Sequence, residues 1–581
     1  MLNRRAFLSA AGASAFAPGL LSSARASSRD DGVIIVGAGL SGLAAALDLA
    51  ARGVKVEIIE ASDQIGGRAQ ARLENRDSGR LSIGNAPFLL PYQAVHVEQM
   101  LSSLGLESVL RSYVPGPAYF LDGKRIDPEH WVGKLRWLKA LWHRARQQGH
   151  RVIPKALRDG KRWSASLEPS TTWNELGGLS ARDWHQLPAT PLTPWKTFRD
   201  VMSPCVFGAA VNEVDAASFA LAEQFYALGG PKNRWTRRVG GNPQEVLWGP
   251  LQEALQSMGV HFRMGVTVSE LSVSSGRVSG LVLDGFGHGL RADDVQEGWT
   301  ELVRPDDASV FVFRTKTGEL RAFSGRCPTT GCRLEWTGTG FYCSCQKRTY
   351  RQDGQPESGE GQELQSLYVL QGADGVHVEG EDSRVFLPAS SVILACGPTS
   401  SWEIAGDLLG IQKPPLMREQ AMAHFWWDGD LLEDAPSWVL SDQYGGTSAT
   451  VLSHLEDESS QWASSGGTVV SVQSPMRGMG EAELLEGLRQ HVEKVWPELQ
   501  SAALVDQALS RWEVPIPEPG WRDGDPQTEV VFPGLYAAGE HLATDSNAHG
   551  FEAAARSGRL AANLALRDLE LESTPLLDAR E

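Results

Sequence analysis

Two sets of residues in this chain have the types and spacing to do chemistry. The first is a run of glycines. Gly37, Gly39 and Gly42 stand in G-x-G-x-x-G spacing directly after four apolar residues, Val33–Val36. Leu43, Ala46, Leu47 and Ala50 follow at helical period, Gly53 closes that helix, and Val54–Ile59 makes a second strand ending in Glu60. Strand, glycines, helix, strand and acid, in that order, form a βαβ dinucleotide-binding unit. Gly37 permits the tight turn, Gly39 lets backbone approach a pyrophosphate, and Gly42 lets helix and strand pack closely. The helix N-terminus offers N–H groups and partial positive charge to phosphates. Glu60 is placed to accept hydrogen bonds from a ribose diol. The second set is cysteine: four of the chain's six, Cys327, Cys332, Cys343 and Cys345, fall in one short stretch.

The residues just after the βαβ unit select the dinucleotide. Ala61–Arg68 reads ASDQIGGR, which nicotinamide sites do not need. It resembles the pattern carried by flavin amine oxidases and carotenoid desaturases. That resemblance implies FAD, with Gly66 and Gly67 close to its pyrophosphate and ribityl and Arg68 near the flavin. The stretch 534–563 resembles the superfamily's final motif: a strand over Leu535–Ala538, then Gly539 and Glu540, then a small-residue helix from Gly550. There the resemblance gives Glu540 a contact to ribityl or pyrophosphate. His541, Asp545, His549 and Glu552 lie near that end as candidates for proton transfer. Between these ends, residues 239–271 resemble the desaturase branch: a glycine turn, an amphipathic helix over Gln244–Met258, and a strand over Val260–Val268. In that family the backbone at the position of Val268 closes over adenine.

The cysteine stretch, 310–345, resembles a Rieske domain, whose loops read C-x-H-x-x-C and C-x-C-H. Where that pattern has histidine, this chain has Thr329 and Gln346. Rieske centres hold one iron by two Cys and the other by two His. The degenerate positions Cys327, Thr329, Cys343 and Gln346 therefore imply a Rieske-like fold that has lost its [2Fe–2S] cluster and binds no metal. The resemblance pairs Cys332 with Cys345 as a disulfide and leaves Cys327 and Cys343 as thiols or a second bridge. A four-cysteine metal site is the competing reading, although C-x-C is poor spacing for structural zinc.

The rest of the chain must position these groups. Its 581 residues exceed one simple core. The expected fold class is α/β: a Rossmann-like FAD-binding domain, an α+β substrate domain, and an inserted small all-β Rieske-like domain. The expected segments are a signal and linker at 1–30, FAD-binding parts at 31–90, 236–292, 376–404 and 516–570, substrate-domain parts at 91–235 and 405–515, the insertion at 293–375, and a tail at 571–581. Phe425, Trp426, Trp427 and Trp438 are candidate pocket residues, with core packing as the alternative. Cys205 and Cys396 read as plain buried residues.

A formal charge of -17 argues against nucleic acid as a partner. Arg4 and Arg5 before an apolar run, with Ala24-Arg25-Ala26 after it, resemble a twin-arginine export signal, implying a periplasmic or membrane-surface location. Residues 130–163 run against the acidic trend, with ten Lys or Arg and one acid, Asp159. Trp131, Leu135, Leu138 and Trp142 repeat there at helical spacing. Such a helix suits peripheral contact with an anionic membrane; a cap helix with a solvated basic face is the alternative.

The resulting expectation is an FAD-dependent oxidoreductase that takes hydride from a small apolar, isoprenoid- or carotenoid-like substrate and passes electrons to oxygen or a quinone. Oxidation of an amine C–N bond is the alternative within enzymes. A flavin-binding redox-docking protein without turnover is the alternative of another class.

Overall fold

The computed structural model describes residues 32–577 except 86–88, 115, 129–130, 152–153, 188–189, 191, 229–234, 285–294, 296–297, 304–308, 316–319, 359–360, 368, 373–374, 379–384, 410–415, 455–465, 477, 522–531 and 543–547. The expected export signal and Asp545 lie outside the described residues.

The run Val33–Val36 is buried on both faces because it is the middle of a five-stranded parallel sheet. The strand order is Leu535–Ala537, Ser391–Leu394, Val33–Val36, Val56–Glu60, His261–Met264. Parallel strands covered on both sides read as continuous apolar runs, as Val33–Val36 does, whereas the edge strand His261–Met264 is mixed. The helix Leu40–Ala50 lies against the last helix, Gly550–Asp568. Their contact is backbone-close: a Cβ on Gly558 would stand 2.1 Å from the Ser41 carbonyl oxygen. A buried ion pair, Arg559 Nε to Asp48 Oδ2 at 2.9 Å, fixes the same two helices.

One expected strand is two. Residues 260–268 divide at Gly265, whose φ of +69° turns the chain out of the parallel sheet. His261–Met264 stays in it, while Thr267–Ser274 starts a separate antiparallel sheet with Arg277–Asp284 and Val385–Pro388. The helix expected from Gln244 begins as a π-turn, Gln244–Trp248, and becomes α-helical over Gly249–Ser257. The turn lets the buried Trp248 indole donate to the Ala69 carbonyl at 2.9 Å.

A second layer is a seven-stranded sheet in the order Leu504–Pro515, Met417–Asp428, Gly467–Pro475, Thr447–Val451, Trp438–Ser441, Ala118–Leu121, Lys124–Ile126. The helix Glu481–Val495 presents Leu484, Leu488 and Val492 to Phe425 and Trp427 in one core. Trp426 points the other way, onto Leu81, Ile83 and Val469. Phe425, Trp426 and Trp427 are thus core residues of a central strand covered on both faces.

Residues 298–378 carry the inserted β-structure: a four-stranded and a three-stranded sheet, then a short hairpin. Phe311, Phe323, Phe341, Tyr350, Cys327 and Cys343 share its core.

Candidate active site

A cavity of about 780 Å³ runs between the parallel sheet and the seven-stranded sheet. Its wall brings together Gly37, Gly39, Glu60, Gly66, Gly67, Arg68, Val268, Gly539, Glu540, His541 and His549. These come from both ends and the middle of the sequence. Gly42 stands behind the wall, where a Cβ would meet the Gly37 carbonyl oxygen at 2.0 Å. Gly37 has a φ of +107°, open to glycine.

Gly39 is different. A Cβ there would have no neighbour nearer than the Gly67 Cα at 4.0 Å. The space beside it is a cradle that a side chain would fill. Gly66 N–H donates to the Ala38 carbonyl at 2.9 Å, which ties the second glycine loop to the first. Glu60 is held on both oxygens: Ala38 N–H donates to Oε2 at 2.6 Å and Ser62 N–H to Oε1 at 2.9 Å. The helix that starts at Leu40 has no side-chain cap, so its first N–H groups are left for a ligand.

Arg68 and Glu540 form an ion pair across the cavity wall. Burial alone would raise the Glu540 carboxyl; the Arg68 charge and hydrogen bond outweigh it and hold it below the usual carboxylate range. Burial pushes His541 down to about 4. Burial also lowers His549, against the opposing charge of Glu540. Both imidazoles are therefore neutral at pH 7. The Tyr226 hydroxyl lies 3.1 Å from His549 Nδ1, and burial raises that phenol.

Glu552 has another role. It takes the backbone N–H groups of His96 and Val97 at 2.9 and 3.2 Å, capping the helix Val95–Ser103. Its carboxylate also lies 2.6 Å from His96 Nδ1, and it is not among the described residues that line the cavity.

The remaining wall is mainly apolar and aromatic, with Trp173, Trp195, Met202, Phe207, Leu221, Trp438, Trp512 and Ile516, although Gln473 and Glu513 also reach it. Trp195 stacks on Tyr226 at 6.2 Å. Among the described residues, no lysine lines the cavity. Of the four aromatic residues proposed from sequence, only Trp438 reaches it. Tyr226 was missed. Its one visible signal is a polar tip inside the apolar run SFALAEQFYAL, which the π-turn Gln224–Leu228 rotates.

The chain matches the family described as flavin containing amine oxidoreductase over residues 40–295 and 365–566. It belongs to that family. Residues 289–368 match the Rieske [2Fe-2S] domain, the insertion between those two halves. The carotenoid phi-ring synthase of Chlorobaculum tepidum is 24% identical over 94% of this chain and 89% of that protein. The all-trans-zeta-carotene desaturase of Myxococcus xanthus is 26% identical over 45% of this chain and 51% of its own length. The structure of cyclohexylamine oxidase from Brevibacterium oxydans superposes with a TM-score of 0.58 at 16% identity, covering 93% of this chain and all of that one. That last likeness shows the fold alone.

This flavin amine oxidoreductase family member is an FAD-dependent oxidoreductase. The residues present fit FAD: the open cradle at Gly39, the uncapped helix start, the tethered Glu60 and the Arg68–Glu540 pair all face one channel. The Rieske cluster does not fit. Thr329 is exposed and Gln346 half-buried, and neither brings the imidazole nitrogen that the outer iron requires. The cysteine side of the site is kept. Burial would raise the Cys327 thiol, but hydrogen bonds from the Thr330 side chain and the Thr329 and Thr330 backbone bring it down to about 6. The sulfurs of Cys327, Cys332 and Cys343 lie within 4.8 Å of one another. Cys332 and Cys343 are 3.3 Å apart, so Cys332 faces Cys343 as well as the Cys345 that the resemblance pairs with it. Cys205 and Cys396, expected to be plain buried residues, both line the cavity, and the Cys205 thiol lies against the Thr447 carbonyl.

Proposed function

We propose that this oxidoreductase dehydrogenates an apolar, isoprenoid- or carotenoid-like substrate. The observation that carries this reading is the cavity wall: a tryptophan-rich surface, without lysine among the described residues, that grips hydrocarbon by burial rather than by charge. The carotenoid names of the two relatives point the same way. FAD supplies acceptance of the hydride. The chain binds and orients the hydrocarbon, keeps water out with its indoles, and offers neutral His549, held by Tyr226, to take the proton that must also leave when a C=C bond forms.

The insertion serves as a structural module or docking surface without an iron–sulfur cluster, and electrons pass from the flavin to oxygen or a quinone. The N-terminal sequence supports export by the twin-arginine route, so the site of action is periplasmic or at a membrane surface.

Anaerobic reduction of the bound flavin by a panel of carotenoids and of amines tests the substrate. Bleaching by a carotenoid but by no amine supports the proposal. Bleaching by an amine alone would replace it with C–N oxidation. An inert flavin would favour a docking protein without turnover.

A further inference from the structure

We propose that the helix Trp131–Gln147 is a docking face for an anionic lipid surface. The large apolar side chains that stand strongly exposed among the described residues are few, and four of them belong to this helix. Val132, Leu135, Leu138 and Trp142 are 55%, 50%, 49% and 45% exposed. The others, such as Leu187, Val273, Trp402 and Val505, are scattered over separate elements. Spacings of three, three and four residues put the four on one side of the helix.

This row is not a core face left uncovered, because the helix has a second apolar face that is seated. Leu141 and Ala145 are buried, and Trp137 packs on Phe198 at 6.1 Å. Gly133 lies so close to the preceding loop that a Cβ there would fall 1.5 Å from the Asp127 carbonyl oxygen. Arg144 is paired with Asp442. The helix is therefore held rigidly while its outer row faces solvent, which a monomeric soluble surface has no need of.

Charge decides the occupant. Lys134, Arg136, Lys139 and Arg146 are exposed on the same helix. The next helix, Pro154–Ala165, exposes Lys155, Arg158, Lys161 and Arg162, and Asp159 is the one acid between residues 131 and 165. This is a cationic patch on a protein of net charge -17. The Arg146 guanidinium lies 4.7 Å from the Trp142 ring, a cation–π pair suited to the boundary between headgroups and acyl chains. A second copy of the chain meeting this face by a two-fold axis would bring cations against cations. A nucleic-acid backbone would satisfy the charges but not the apolar row. An anionic bilayer satisfies both. The inference does not rest on the substrate reading and stands if the substrate is an amine.

The test uses the flavin-loaded protein and co-sedimentation with two vesicle types, phosphatidylcholine alone and equal parts phosphatidylglycerol and phosphatidylcholine. The wild type is expected on the anionic vesicles only, released by salt. The triple variants K134E/R136E/K139E and L135S/L138S/W142S are each expected to bind about tenfold or more weaker, with flavin content unchanged. Leu135→Gln alone, a milder change at an exposed site, covers the case in which a triple variant does not fold. Equal binding by wild type and variants overturns the proposal, as does failure of the wild type to bind. Wild-type dimers that dissociate in the L135S/L138S/W142S variant would assign the face to a second copy instead.

Discussion

Arg68 and Glu540, 472 positions apart in the chain, form an ion pair in the wall of the flavin channel. The second glycine loop and the last strand are thereby fastened before any cofactor arrives. Removing Arg68 leaves Glu540 burial uncompensated. Because Arg68 is 37% exposed, solvent screens part of the attraction. A double-mutant cycle with Arg68→Met and Glu540→Gln on the cofactor-free protein should therefore give a coupling of about 0.5–1 kcal/mol in thermal or urea unfolding. A coupling of zero would mean that the pair is incidental.

Gly39 and Gly42 should separate cofactor binding from folding. Gly39 has open space before it, so Gly39→Val should fold and yet lose its yellow colour. Gly42→Ala drives a methyl group into the Gly37 carbonyl and should lower stability by about 1–3 kcal/mol. Flavin released by acid and the thermal midpoint of each variant are the measurements. A fully yellow Gly39→Val would sink the assignment of the cradle.

Proton transfer should depend on a neutral His549. Its folded pKa lies below the ordinary 6.5, so turnover should fall as pH drops through that lower value and stay level above it. His549→Ala should lower kcat by about 10²-fold or more while flavin binding is retained. Tyr226→Phe removes the partner at Nδ1 and should move the acid limb of the profile. An unchanged profile in both variants would assign the proton to solvent.

Glu223 offers a pH test outside the cavity. It is fully buried, takes a 3.4 Å bond from the Trp195 N–H at Oε1, and has no partner at Oε2 among the described residues. Burial raises its pKa to about 8 from an ordinary 4.5. Between those values the folded protein holds a proton that the unfolded chain has released, so this group makes stability decline as pH rises. Glu223→Gln should cancel that decline, with a gain of about 1–3 kcal/mol at pH 8 and little at pH 5. A gain independent of pH would show that packing rather than charge is at work.

The insertion should contain no iron. Metal and acid-labile sulfide analysis, with low-temperature EPR after dithionite, should find no two-iron signal, and the unfolded protein should show no more than two free thiols among the insertion's four cysteines. A stoichiometric two-iron spectrum would require ligands other than Thr329 and Gln346.

The parts of the site that were legible in the sequence are those made by backbone. Gly37, Gly39, Gly42, Gly66 and Gly67 act through the absence of a side chain, and their order along the chain is enough to show it. The cavity wall was not legible, because it is assembled by pairing distant strands. Phe425, Trp426, Trp427 and Trp438 look alike in a one-dimensional sequence. Only the sheet order shows that the first three sit on a strand with neighbours on both edges and cover on both faces, while Trp438 lies where the sheet meets the cavity. Tyr226 escaped for a local reason: a π-turn rotates it away from the side that a regular helix would give it. The turn at Gly265 out of the parallel sheet was likewise hidden inside an apparently continuous strand.

The strands Arg277–Asp284 and Val385–Pro388, which flank the insertion, are hydrogen-bonded neighbours, with Leu283 opposite Val385. The chain leaves the flavin domain and returns to it at nearly the same point. Everything between is a detour that a short turn could replace at the small entropic difference between a long and a short loop. The host therefore felt little thermodynamic pressure from whatever happened inside the detour. The residue types at positions such as Thr329 and Gln346 can therefore change without disturbing the flavin channel, as a socket is indifferent to what is plugged into it.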